Sequence, residues 1–120
     1  MVVLSLKGNQ VRLSLRDRQV SVDRKSRSAF QESVKKQLLD QYPQYMLFEE
    51  VFIPEDNLYL DFFIPALGIV VECQGRQHTE HIKFFHSTKR EFNQQKLRDS
   101  KKKLWCELNN FKLIEIHHAP

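Results

Sequence analysis

Two carboxylates at facing positions of a hairpin are the residues of this 120-residue chain whose placement most directly implies chemistry. Leu58–Ile64 and Ile69–Gln74 read as strands, joined by Pro65, Ala66, Leu67 and Gly68, a common hairpin loop length. If Ile64 pairs with Ile69, counting back sets Phe63 opposite Val70, Phe62 opposite Val71 and Asp61 opposite Glu72. Leu60 then faces Cys73, and Tyr59 faces Gln74. Side chains alternate along a strand, so Leu60, Phe62, Ile64, Ile69, Val71 and Cys73 would line one apolar face. Asp61, Glu72 and Gln74 would share the other. Like charges directly opposite each other destabilise a sheet. Three arrangements resolve the conflict: a hard divalent cation held by oxygen, a shared proton, or a bulge that leaves both acids as ordinary exposed residues.

The elements that must position this pair follow from pattern. Val11, Leu13 and Leu15 alternate with polar residues, and Lys7–Gln10 is a turn after Val2–Leu6, so residues 1–25 read as a β-rich extension. Ser28 with Gln31 resembles a capping box, and Phe30, Val34, Leu38 and Tyr42 give the helix behind it one apolar stripe. Pro43 ends that helix. Strands are expected at Met46–Ile53, Leu58–Ile64 and Ile69–Gln74. A second helix runs from Thr88, with Glu91 completing another capping-box match, to about Asn109; Phe111–Ile116 is a closing strand. The order is α-β-β-β-α-β behind the N-terminal strands, one α/β (α+β) domain over residues 1–120 with helices on a mixed sheet.

Composition bounds the rest. The chain is 41% hydrophobic and 28% charged, which argues against disorder. Its longest apolar run, Phe62–Val71, is too short to span a bilayer, and Met1–Leu6 lacks the marks of a signal peptide. Cys73 and Cys106 form no paired motif, so no disulfide scaffold is expected and the cell interior is the default compartment. The formal charge of +4 is unevenly spread. Residues 1–38 carry nine Lys/Arg against three acids, residues 39–61 six acids and no base, residues 83–103 eight Lys/Arg against two acids. That pattern fits either a polyanion-binding rim around an acidic centre or solvated faces.

The run Val70-Val71-Glu72-Cys73-Gln74-Gly75-Arg76-Gln77-His78, with Leu60-Asp61-Phe62 before it, resembles the PD-(D/E)XK nuclease superfamily. Within it, the run is most similar to the branch of very-short-patch repair endonucleases and EDxHD-type homing enzymes of phage. The resemblance covers residues 28–116 and implies a restriction-endonuclease-like core. It implies Asp61 and Glu72 as metal-binding carboxylates, the carbonyl of Cys73 as a third ligand, and Mg²⁺ or Mn²⁺ as cofactor. Gln74 stands at the usual lysine position and lacks its charge. His78 matches the family histidine, an acid, base or electrostatic clamp. Asp99 and Lys102 fall at the helical Asp and Lys, on one helix face by their spacing, so that Lys102 can replace the strand lysine. Glu32 is the expected helical acid, although Gln31 fits its position better.

The resemblance further implies a hydrolase, an endonuclease acting on duplex or branched DNA in the cytoplasm of a bacterial or phage-infected cell, beside the nucleoid. Arg76, Lys83, Lys89, Arg90, Lys96, Arg98, Lys101 and Lys103 would follow the phosphate backbone. A second reading, kept open by Gln74, is a weakened nuclease fold that binds nucleic acid or a protein without cleaving. A third is assembly: Val11–Leu15 and Val20–Val22 could pair across a homodimer, since apolar edge strands invite pairing. His78, His81 and His86 lack the cysteine or carboxylate partners of a zinc site.

Overall fold

Ser28 starts the first helix as the pattern predicts. It is extended at φ −141°, and its hydroxyl accepts the Gln31 N–H at 3.1 Å. Helix α1 spans Ala29–Gln41 and turns Val34 and Leu38 inward. The capping box is only half formed, because the Gln31 side chain reaches to Glu50 instead of back to Ser28. A computed structural model describes residues 1–75 and 89–118. Its strands are β1 (Val2–Leu4), β2 (Gln10–Arg12), β3 (Phe48–Ile53), β4 (Leu58–Ile64), β5 (Ile69–Gln74) and β6 (Lys112–His117). Helix α2 is Lys89–Leu108; Thr88, its expected cap, lies outside the described residues.

Strands β3, β4, β5 and β6 form one mixed sheet in that order, the first two pairings antiparallel and β5–β6 parallel. The fold is thus mixed α+β. One face packs against α1 through Val34, Leu38, Phe62, Ile64 and Val71. The other buries Val51, Ile53, Leu58, Leu60, Phe63 and Val70 beneath Trp105 and Cys106 of α2. A 3₁₀ turn at Pro65–Leu67 links β4 to β5 and ends on Gly68 at φ +62°, a left-handed conformation that favours glycine.

Several expectations shift. The β1–β2 hairpin is shorter than Val2–Leu15, and its apolar side chains Val3 and Val11, with Leu13 just beyond, are buried in this chain's own core. Val20–Val22 is no strand. Instead Val20 donates to the Leu47 carbonyl and Glu49 to that of Arg18, so residues 18–20 lie along β3. Asn109 pins β1 to the end of α2 by accepting the Leu4 N–H and donating to the Leu4 carbonyl. Lys35, 1% exposed, donates to the carbonyls of Ser21 and Arg24 and fastens that segment over α1. Among the described residues, no helix is long and apolar enough to cross a membrane.

The face assignment in β4 also changes. Phe48, Val51 and Ile53 lie on one face together with their partners Phe63, Leu60 and Leu58. Regular alternation would not put 48 with 51, or 60 with 63. Both strands are dislocated at one level, where Glu50 and Asp61 are skipped by the ladder. Leu60 consequently packs with Phe63 and not with Phe62 as the sequence predicts.

Candidate functional site

The expected register holds over Ile64–Ile69, Phe63–Val70 and Phe62–Val71, and then the ladder stops. Leu60–Cys73 and Tyr59–Gln74 do not pair, while on the other edge β5 stays paired with β6 from Ile69 through Gln74. Where the strands part, side chains take over the backbone donors. Glu72 Oε2 accepts the Asp61 N–H at 2.8 Å, and Asp61 Oδ2 accepts the Cys73 N–H at 2.8 Å. Each acid therefore satisfies a backbone group of the facing strand, which leaves two nearly buried carboxylates side by side.

Lys102 of α2 donates to Glu72 Oε1 at 2.5 Å. Burial, followed by the charge of Asp61, pushes the Glu72 carboxyl up to about 7 despite that ammonium. Burial likewise raises Asp61, against the pull of Lys102 and the Cys73 N–H. For Lys102 burial works downward, but the charges of Glu72, Asp61 and Asp99 outweigh it and the net shift is upward. The Cys73 thiol is pushed up to about 12 by burial and the two carboxylates, so the contact it brings here is its backbone N–H.

A second group closes the site from the α1 side. Glu50 Oε1 accepts from Gln31 Nε2 at 3.0 Å. The Arg27 guanidinium, on a side chain 70% exposed, lies 3.7 Å from both Glu50 Oε1 and Asp61 Oδ1. Glu50 and Arg27 were not legible as site residues in the sequence, whereas Gln31 is the residue that fits the helical-acid position better than Glu32. The signal available was the Ser28-x-x-Gln31 spacing, which marks Gln31 as lying on the first helical turn.

The remaining expected residues divide. Glu32 is not at the site: its carboxylate accepts the Ser26 N–H and pairs with Lys35 at 3.1 Å, and the Ser26 bond foremost lowers its pKa. One helical step turns Gln31 toward the site and Glu32 away from it. Gln74 is buried and lines a cavity of about 220 Å³ with Lys96, Asp99, Lys103, Glu115 and His117. Asp99 thus sits beside Gln74 while Lys102 reaches Glu72. Lys89, Arg90, Lys96, Arg98, Lys101 and Lys103 are all exposed on α2. Arg76, His78, Lys83, His81 and His86 lie outside the described residues. Among the described residues, no three His, Cys, Asp or Glu side chains converge as a metal-binding group.

What the fold and site define is a mixed α+β domain with a buried pair of carboxylates and an ammonium at the parting of two strands. Three curated proteins that it matches are viral. The chain is 42% identical over 63 residues to uncharacterized protein 307L of Invertebrate iridescent virus 6, a match covering 52% of this chain and 32% of that protein. It is 39% identical over 67 residues to uncharacterized protein 033L of Invertebrate iridescent virus 3, covering 56% and 34%. Uncharacterized protein 094L of Frog virus 3 is 38% identical over 63 residues, covering 52% and 41%. The matched stretch thus spans about a third to two fifths of these relatives' length. No family model and no solved structure matches the chain.

Proposed function

We propose that the chain is a metal-dependent endonuclease of the PD-(D/E)XK type, with a restriction-endonuclease-like core, hydrolysing phosphodiester bonds in DNA. The observation that carries this reading is the geometry at the parting of β4 and β5: Asp61 and Glu72 buried together, each fixed by a backbone N–H, with Lys102 on Glu72. Lys102 offsets only part of the repulsion between two buried acids, and a bound cation would offset the rest.

The donor set fits Mg²⁺ or Mn²⁺. Those ions are bound by one or two carboxylates together with waters and substrate phosphate, and need no cage of protein ligands. Asp61 and Glu72 would hold the ion, with the Cys73 carbonyl as a third oxygen. When bound, such an ion supplies Lewis-acid activation of water and charge neutralisation at the scissile phosphate. Lys102 provides the cationic charge that Gln74 lacks at the usual lysine position, and its ammonium stabilises negative charge on the phosphate. The exposed bases of α2 and of the N-terminal segment follow the backbone. DNA as the substrate, and the cytoplasm as the place of work, rest on the family resemblance. A homodimer through the N-terminal strands could not use Val3, Val11 or Leu13, whose side chains are buried in this chain's own core.

Plasmid, linear and branched DNA incubated with the purified chain and Mg²⁺ or Mn²⁺ should be cut, and EDTA should stop cutting. Gln74 supports the second reading, a module that binds without cleaving. Tight DNA binding with no cleavage under any of these conditions would decide for that module and against the endonuclease.

A further inference from the structure

Glu50 is the acid of this site that the family resemblance leaves unassigned, and its backbone is unusual. It sits in mid-strand at φ +53°, a left-handed conformation that a non-glycine residue rarely adopts and that is strained for a glutamate. Such strain persists only where the surroundings enforce it. Here they do. Gln31, 2% exposed on α1, fixes one carboxylate oxygen of Glu50, and the residue before it is tied by the Arg18 carbonyl and the Ser26 hydroxyl. The dislocation takes Glu50 and Asp61 out of the ladder at the same level. The exposed Arg27 guanidinium rests loosely against both acids, which marks an accessible side of the site where positive charge is favoured.

Resting on the nuclease reading, we infer that Glu50 is a positioning residue for the divalent cation, acting through the cation's water and held in place by Gln31. Direct ligation is not the role assigned, because among the described residues no three acidic, His or Cys groups converge to ligand spacing. Partners of this outer kind commonly change metal affinity by ~10–100-fold. The carboxylate that Gln31 does not provide from α1 is thereby supplied from β3.

The test is calorimetric titration of the full chain with Mn²⁺, without DNA. E50Q should bind Mn²⁺ about tenfold more weakly than the parent while melting at the same temperature in EDTA. The exchanged pair Q31E/E50Q returns a carboxylate to the same hydrogen bond from the α1 side and should recover affinity to within about threefold of the parent. Unchanged affinity in E50Q, or no recovery in the exchanged pair, overturns the inference while leaving the nuclease reading intact. If E50Q does not fold, Q31A decides: it keeps the charge and removes the orienting donor, and undiminished Mn²⁺ binding there overturns the inference. A parent that binds no Mn²⁺ overturns the metal-dependent reading itself, and with it the role of Glu50.

Discussion

Burying Glu72 beside Asp61 makes the metal-free protein lose stability as pH rises. The carboxyl is raised from 4.5 to about 7, so the folded state holds a proton that the unfolded chain has already released. The contribution is most favourable below about 4.5, is lost as pH rises toward about 7, and is flat above that. At ~1.4 kcal/mol per pKa unit, between pH 5 and pH 8 the loss is about 2–3 kcal/mol. Glu72 is only 3% exposed, so solvent screening takes little from that figure. For a domain of this size it corresponds to a fall in Tm of roughly 10 °C. The assay is thermal melting by circular dichroism from pH 5 to 8.5, in EDTA and in Mn²⁺, for the parent and for E72Q. Comparing slopes cancels the histidines, which titrate in both proteins. E72Q should lose most of the slope. Its absolute stability should fall by about 1–3 kcal/mol, because one of the two oxygens now accepting from Lys102 and Asp61 becomes a donor. Mn²⁺ should flatten the parent's slope, since a cation favours the ionised acids and releases the proton. Equal slopes in parent and E72Q would refute the placement of a buried, proton-holding carboxyl at the parting strands.

Three further outcomes separate the roles of the basic residues. K102A should slow single-turnover cleavage by ~10²–10³-fold while changing DNA affinity far less, and equal losses in both would reduce Lys102 to a backbone contact. Replacing Lys101 and Lys103 by Ala should lower the log–log salt slope of duplex binding by ~0.9 per lost phosphate contact; Lys102 is left out because its ammonium is engaged with Glu72. K35M should cost about 2–4 kcal/mol by stranding the Ser21 and Arg24 carbonyls, and should open Arg24, Lys25 and Arg27 to trypsin. Unchanged proteolysis would show that Lys35 does not fasten that segment.

The sequence determined by itself what depends on near neighbours. Ser28 caps α1, the stripe Val34–Leu38 faces the sheet, and Pro65–Gly68 closes a hairpin, because capping, periodicity and turn chemistry act over a few residues. That hairpin in turn set the register from Ile64–Ile69 to Phe62–Val71 and delivered Asp61 and Glu72 to one place. Tertiary structure decided what happens next to them. The strands part at Asp61 because Glu72 and Asp61 can satisfy the facing N–H groups themselves, an exchange that counting along strands cannot foresee. Gln31 rather than Glu32 faces the site because the packing of α1 on the sheet fixes its rotation, and a rotation of one residue, about 100°, sends adjacent side chains to different partners. Glu50 joins the site only through a left-handed backbone, with its side chain held by Gln31 and its neighbour Glu49 held by Arg18 and Ser26, all distant in sequence. No local propensity favours that conformation in a glutamate, so only the assembled fold could impose it.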